Sequence, residues 1–272
     1  MYFYIMKIPE FSALLLIFAF CGAGATEDAE HYFRFTINNK SDLDRLTRVV
    51  SIDNVVKDTV YAYANEKEWR AFRALGYEPT ELPHPGSLYE HEMSSEPLAV
   101  LDWDRYPTYQ AYLTMMRQYA QNFPSICKLD TIGLSVQGRQ ILALKISDSV
   151  NVSEDEPEFF YSSTMHGDET VGYVLLLRLA DYLLNQYGVP TAEGQRATNL
   201  VNNTEIWINP LFNPDGTYRL GGDTTVSNAR RGNANGVDLN RNFPDRVSDT
   251  NNTTTGRQVE TQAMMRWTAR HN

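Results

Sequence analysis

Two apolar segments without polar alternation, PEFFYSS at residues 157–163 and TEIWINP at residues 204–210, flank a long helical pattern. Strands of this kind are buried on both faces of a sheet. Because strands and helices alternate along this part of the chain, we predict an α/β domain over residues 101–272, with a mixed, mostly parallel sheet and helices on both faces. Sites in such sheets lie beyond the carboxyl ends of the strands, which is where MHGDE and NPLFNPDG follow.

The remaining patterns of this region fit the same class. YQAYLTMMRQYAQNFP predicts an amphipathic helix that ends at Pro124. The segment that begins at Cys127 predicts two strands joined by a turn at Gln137 and Gly138. RQVETQAMMRWTAR predicts a last helix.

A smaller unit precedes this domain. Residues 26–82 contain strand and helix patterns in the order β-α-β-α-β, which predicts a compact α+β module with helices on one face of a sheet. Residues 83–100 are rich in proline, serine and glycine, and we interpret them as a linker or surface loop. His84 and His91 lie in this segment, and we expect both to be surface histidines rather than metal ligands.

The first 25 residues have the features of a secretory signal. One lysine precedes the apolar run FSALLLIFAF, and Ala23 and Ala25 precede the polar Thr26 at a small-residue cleavage site. The run is short for a membrane span and no second one follows, so we expect a secreted or periplasmic protein. Lipid attachment at Cys21 is the alternative, although Phe20 stands where such signals carry a small residue.

The charge balance and cysteine content exclude several classes of protein. A net charge of −10 argues against a nucleic-acid surface, which needs clustered lysine and arginine. After removal of the leader only Cys127 remains, so the chain can form no internal disulfide. No nucleophile constellation surrounds Cys127, which argues against a cysteine hydrolase. No feature of the sequence calls for an obligate oligomer.

His166 and Glu169 are three positions apart at a predicted strand-to-helix junction. At that spacing their side chains lie on one side of the chain, close enough to share a cation. Imidazole nitrogen and carboxylate oxygen suit zinc, and catalytic zinc has three protein ligands and one open position. The alternative is a polar turn in which Asp168 and Glu169 favour the positive end of the following helix.

A second polar stretch, NARRGNANGVDLNRNFPD, follows the second buried strand. Arg230, Arg231 and Arg241 lie in it together with Asn240. An arginine fork binds carboxylate in bidentate fashion, and a neighbouring asparagine adds a further hydrogen bond. In a site that contains both a metal and such a pair, the pair could hold a free carboxylate while a neighbouring acyl bond is hydrolysed at the metal. The alternative is a solvated basic loop.

Taken together, MHGDE, NPLFNPDG and NGVDLNRNFPD resemble the motif series of the zinc metallocarboxypeptidases, in that family's order. The resemblance covers residues 101–272 and implies one zinc ion and peptide or protein C-termini as substrates. It implies that His166 and Glu169 are zinc ligands and that Arg231 stabilises the oxyanion. It also implies that Asn240 and Arg241 bind the terminal carboxylate. The small N-terminal module resembles the prodomains of the family more weakly.

The sequence departs from the family pattern at its end. The family's third zinc ligand, a histidine, and its general-base glutamate lie beyond the VETQAMMRW helix, where this chain stops. His271 continues that helix without an intervening strand, so we do not expect it to be the third ligand. We therefore expect a C-terminally truncated chain that binds zinc weakly and turns over little peptide.

Three functions are compatible with these residues. The first is a secreted zinc-dependent carboxypeptidase that releases the C-terminal residue. The second is a related zinc amidohydrolase that acts on cell-wall peptides or other small amides bearing a carboxylate. The third is a catalytically impaired protein that binds peptide carboxylates without hydrolysing them. The side-chain specificity is left open.

Overall fold

A computed structural model describes residues 30–218, 222–245, 247 and 249–271. The predicted leader over residues 1–25, with Cys21, lies outside the described residues. Within the part of the chain that is described, no helix is both long and apolar enough to cross a membrane.

Ten strands and eight α-helices make up the described chain. The strands are β1 Glu30–Thr36, β2 Ser51–Val56, β3 Thr59–Asn65, β4 Thr80–Leu82, β5 Met93–Ser94, β6 Tyr106–Pro107, β7 Cys127–Leu134, β8 Gln140–Ile146, β9 Glu158–Ser162 and β10 Glu205–Asn209. The helices are α1 Leu43–Leu46, α2 Glu66–Arg73, α3 Pro97–Val100, α4 Tyr109–Asn122, α5 Thr170–Gln186, α6 Ala192–Val201, α7 Pro214–Tyr218 and α8 Val259–Thr268. A 3-10 helix at Leu239–Arg241 carries two of the predicted site residues.

The first sheet is antiparallel throughout, with strand order β2-β3-β1-β4. Its apolar face packs on α1 and α2 through buried side chains such as Phe33, Leu46 and Phe72. A reciprocal pair of hydrogen bonds between Asn65 and Glu68 caps the start of α2. The sheet has one strand more than the β-α-β-α-β prediction. The first helix ends after four residues, at Leu46, and the chain then forms the additional strand β2 before β3.

The second sheet has strand order β7-β8-β10-β9. The mixed α/β class is confirmed, but the predicted majority of parallel strands is wrong for these four. β7 pairs antiparallel with β8, β8 pairs antiparallel with β10, and only β9 and β10 are parallel. The reason for the first pairing is the tight turn at Gly138 (φ +81°), which can join only antiparallel strands.

Helices cover both faces of this sheet, as predicted. Side chains alternate along β8, so that Leu142 and Leu144 face the core formed with α4, α5 and α6. Ile141 and Ala143 face the opposite side, where Trp267 of α8 packs.

The two strands predicted to be buried on both faces differ in the structure. All five residues of β10 are buried, because β10 lies between β8 and β9. The same prediction is wrong for β9, which is the edge strand among the described residues and leaves Phe159 and Tyr161 almost half exposed. An apolar run alone does not distinguish a central strand from an edge strand.

Candidate active site

Three loops meet beyond the carboxyl ends of β9 and β10. The amide of Asn213 donates to the carbonyl oxygens of Met165 and Arg231, both at 3.3 Å. The Thr217 hydroxyl donates to the carbonyl oxygen of Gly167 at 2.9 Å. A side chain at Gly167 would place its Cβ 2.4 Å from the carbonyl oxygen of Arg230, so only glycine permits this approach.

His166 and Glu169 converge in this region. Nδ1 of the buried His166 lies 2.9 Å from Oε1 of Glu169, whose carboxylate is 60% exposed. Glu169 directly precedes α5 but makes no side-chain hydrogen bond to the first turn of that helix. Its carboxylate is therefore directed at the imidazole, as the metal interpretation requires, and does not cap the helix.

Asp238 is a residue of the candidate site that the sequence interpretation missed. Its Oδ1 accepts from Nε2 of His166 at 3.1 Å and from the backbone N–H of Asn240 at 2.8 Å. Its Oδ2 accepts from Nε of Arg231 at 3.1 Å and from the hydroxyl of Ser51. A carboxylate on one imidazole nitrogen fixes the ring and leaves the other nitrogen to a metal. The signal was present, since Asp238 stands two residues before Asn240 in VDLNRN.

Hydrogen bonding controls the protonation of this group. Burial lowers the pKa of His166, but its bonds to Asp238 and Glu169 outweigh burial and raise the pKa to about 9. The bond to His166 holds the pKa of Glu169 below its ordinary value. Burial raises the pKa of Asp238, yet the bond to His166 and the charge of Arg231 bring it below its ordinary value. In the absence of metal, His166 is therefore an imidazolium between two carboxylates at neutral pH.

The pair fits two positions of a zinc coordination shell. Ligand atoms on tetrahedral zinc are roughly 3.3 Å apart when the bonds are about 2.0–2.1 Å. The separation of 2.9 Å between Nδ1 and Oε1 needs only a small adjustment when a cation replaces the shared proton. Among the described residues, no cluster of three potential ligands includes His166 or Glu169. The described chain thus brings two candidate ligands together at this site.

His271 lies elsewhere, as expected. Its Nδ1 is 3.6 Å from Glu158 at the start of β9, and its ring contacts Trp207 and Trp267. Because β9 runs from Glu158 toward His166, the two histidines lie toward opposite ends of the strand.

Arg231 lies beside the ligand pair. Its side chain is buried, its Nη1 is 3.9 Å from Oε1 of Glu169, and its guanidinium lies 5.0 Å from the centre of the Tyr63 ring. A guanidinium this close to Glu169 is able to donate to negative charge that develops on a carbonyl bound there.

Asn240 and Arg241 lie on the 3-10 helix Leu239–Arg241. Asp238 links this helix to His166, because its carboxylate accepts from the backbone N–H of Asn240 and from Nε2 of His166. Both side chains are exposed. The Arg241 guanidinium donates to the carbonyl oxygen of Asn240 at 3.2 Å. In the described structure no side-chain contact joins either residue to His166 or Arg231, so they form a separate polar group near the same loop.

The small N-terminal module packs directly on this loop. Its contacts include the Ser51 hydroxyl on Asp238, the Tyr63 ring on Arg231, and the Asn65 amide, which donates to the carbonyl oxygen of Gly236 at 2.9 Å. The module therefore covers the Arg231 side of the site.

Two cavities with mostly apolar walls open on either side of Glu169. The first has a volume of about 430 Å³ and includes Tyr89, Tyr106 and Val171. The second has a volume of about 450 Å³ and includes Tyr161 and Leu175. Open space thus exists next to the candidate ligand Glu169.

Comparison with known proteins is consistent with this geometry. The sequence pattern of the Zinc carboxypeptidase family matches residues 112–272. Carboxypeptidase D of Homo sapiens is 37% identical over 186 residues, which are 67% of this chain and 13% of that protein. Carboxypeptidase M of Mus musculus is 41% identical over 172 residues, which are 62% of this chain and 37% of that protein. The chain therefore matches between 13% and 37% of the length of these two relatives.

Solved structures agree on the fold. Carboxypeptidase A from Helicoverpa armigera superposes with a TM-score of 0.58 at 20% sequence identity, covering 90% of this chain and 68% of that one. Thrombin activatable fibrinolysis inhibitor superposes with a TM-score of 0.56 at 16% identity, covering 89% of this chain and 68% of that one.

Proposed function

Since the chain belongs to the zinc carboxypeptidase family, we propose that it derives from a zinc-dependent carboxypeptidase that hydrolyses the C-terminal residue of peptides or proteins. The observation that carries the proposal is the His166–Glu169 pair at the carboxyl end of β9, fixed by Asp238 and flanked by Arg231. Zinc bound there would polarise the scissile carbonyl and lower the pKa of its water.

Each remaining residue has a role that its position supports. Asp238 holds His166 with Nδ1 directed at the metal position. Arg231 donates to the oxyanion as the tetrahedral carbon forms. Asn240 and Arg241 bind the free carboxylate of the last residue, which restricts cleavage to the end of a peptide.

The test compares a peptide with its C-terminally amidated twin. We expect slow, chelator-sensitive hydrolysis of the free acid and none of the amide, together with weak zinc binding. Hydrolysis that ignores the chelator, or that treats both peptides alike, would contradict the proposal. His166→Ala should lose zinc binding, whereas the exposed Arg266→Ala is the matched surface control.

A second candidate function is a protein that binds peptide carboxylates without hydrolysis. It is supported by the fact that, among the described residues, no third potential ligand joins the pair of His166 and Glu169. Preferential binding of the free acid without any chelator-sensitive turnover would select this candidate over the first.

We further propose that residues 26–82 form a prodomain-like module, joined by the linker 83–100 to the catalytic domain 101–272. The contacts of Ser51 and Tyr63 with Asp238 and Arg231 support this role. Protease cleavage within residues 83–100 should then increase peptide binding at the site; unchanged binding after complete cleavage and separation of the module would argue against it.

Export through the leader at residues 1–25 is also a proposal, with a secreted or periplasmic destination. The N-terminal sequence of the exported protein tests it. A start at Thr26 supports simple cleavage, whereas an acylated Cys21 at the new N-terminus identifies the lipid-anchored alternative.

A further inference from the structure

A carboxylate is bound in the structure by three N–H groups. Oε2 of Glu30 accepts from the backbone N–H of Arg231 at 2.9 Å and is 2.8 Å from Nε2 of His84. Oε1 of the same side chain accepts from the backbone N–H of Gly232 at 2.8 Å. The Glu30 side chain is only 6% exposed, so these donors replace its hydration.

The tautomer of His84 is determined by its second nitrogen. Nδ1 accepts from the backbone N–H of Gly86 at 3.0 Å, so it carries no proton. The proton of the neutral ring is therefore on Nε2, which donates to Glu30. The prediction that His84 is a surface histidine is wrong: it is buried, because this contact and the Gly86 contact use both ring nitrogens.

The three donors stabilise the charged form of the carboxyl group. Burial raises the pKa of Glu30, but the contact with His84 and the N–H groups of Gly232 and Arg231 together bring the pKa below its ordinary value. Two consecutive backbone N–H groups directed at one anion form a nest, which is a recurrent way of binding carboxylate and phosphate.

The three donors lie in the linker and in the loop on which it packs, whereas the acceptor Glu30 lies in the small N-terminal module. Gly86, two residues after His84, accepts from the backbone N–H of Asn228 at 2.7 Å. A Cβ at Gly86 would lie 2.3 Å from the carbonyl oxygen of Ala229, so the linker lies directly on the loop that continues to Arg231. Glu30, in contrast, is the first residue of β1 in the small N-terminal module.

We propose that Nε2 of His84 and the backbone N–H groups of Arg231 and Gly232 form a carboxylate-binding site, which Glu30 occupies from within the chain. When β1 moves away, the site takes a carboxylate from a peptide. Because Arg231 contributes its backbone here and its side chain to the candidate active site, a peptide bound through this carboxylate lies against that site. Carboxylate binding at this site requires neither zinc nor hydrolysis.

Chemical rescue of Glu30→Ala in the full chain tests the site, with acetate as the probe. We expect the variant to unfold at a lower temperature than the wild type. Sodium acetate should then raise its Tm by roughly 2–4 °C at about tenfold saturation, whereas acetamide and sodium chloride should not. The amide resonances of Arg231 and Gly232 should shift with acetate in the variant and not in the wild type, where Glu30 fills the site.

Glu81→Ala is the matched control, because Glu81 is an exposed glutamate of the same sheet that pairs with His31. An acetate response of equal size in Glu81→Ala or in the wild type would overturn the proposal. So would a folded Glu30→Ala variant without acetate response. If Glu30→Ala folds only with acetate, that is the expected rescue. If Glu30→Ala folds under no condition while Glu30→Gln folds normally, the site needs the shape of the side chain and not its charge, and the proposal fails.

Two peptides identify the source of the carboxylate. One carries a glutamate side chain and an amidated C-terminus, and the other has a free C-terminus and no acidic side chain. Both should be titrated into Glu30→Ala while the Gly232 resonance is followed. A shift with the first assigns the site to acidic side chains, and a shift with the second assigns it to chain termini. No shift with either, despite a response to acetate, would overturn the claim that the site accepts peptides.

Discussion

Nε2 of His166 donates to Asp238 on the side of the imidazole ring that faces away from Glu169. The two carboxylates therefore have different functions, although both contact the same histidine. Glu169 is exposed and available to a metal, whereas Asp238 is buried and has four hydrogen-bond donors around it. Such a buried acceptor fixes the ring before any metal arrives.

Asp238→Asn should weaken zinc binding by about 10–100-fold, because an amide cannot hold the imidazole in the same orientation with the same charge. Zinc titration with a competing chromophoric chelator measures the change. Asp155→Asn serves as the control, since Asp155 is exposed and precedes β9, whereas His166 follows the other end of that strand. An unchanged zinc affinity in a folded Asp238→Asn protein would show that Asp238 has no positioning role.

His166 should make the stability of the metal-free protein depend on pH. Its folded pKa of about 9 is above the ordinary value of 6.5, so its contribution is fully present below pH 6.5 and is lost as the pH rises through 9. The contribution is at most about 3 kcal/mol. Urea unfolding with chelator at pH 6 and pH 10 should reveal this loss in the wild type. In His166→Gln the loss should be smaller by that amount, and equal losses in both proteins would contradict the prediction.

Asp168 should destabilise the folded chain at neutral pH. Burial, followed by the charge of Glu30, raises its pKa to about 6, so the folded state favours the protonated form. Because the carboxyl group ionises less readily in the folded state than in the unfolded state, the free energy of unfolding falls as the pH rises from about 4 through about 6. We expect Asp168→Asn to increase the free energy of unfolding at pH 7.5 by about 1–3 kcal/mol and to have little effect at pH 4. A decrease at pH 7.5 would mean that the carboxylate is needed.

Arg241→Ala should reduce the affinity for a free-acid peptide by about 10–100-fold, as expected for loss of a charge-assisted hydrogen bond. The side chain is exposed, so folding and zinc binding should not change. Calorimetric titration of the free-acid and amidated peptides measures the effect, and Arg266→Ala is the control on an exposed helix face. Equal loss of affinity for both peptides would place Arg241 outside carboxylate recognition.

The parts of the fold that local patterns specify agreed with the sequence interpretation. The turn at Gly138 determines a hairpin, and the second helix predicted in the small module forms as α2, because both depend on a few neighbouring residues. The convergence of His166 and Glu169 was likewise predicted, since their separation along the chain fixes their separation in space.

Properties that depend on distant partners were not predictable in this way. His84 resembled a surface residue because its partner Glu30 is 54 positions away. Asp238 became informative only when the fold placed it next to His166, 72 positions earlier. Strand β9 has the composition of a central strand, but its place in the sheet is decided by which strands pair with β10.

The amide of Asn213 bridges two carbonyl oxygens that are 66 residues apart in the chain, those of Met165 and Arg231. These bonds cannot form until β9 and β10 have paired and the loop around Arg231 has closed, and contacts between such distant segments are slow to form. The candidate site should therefore appear late in folding. For the same reason, amide hydrogen exchange at Gly167, whose N–H donates to the carbonyl oxygen of Arg231, should report opening of the larger sheet rather than motion of a single loop.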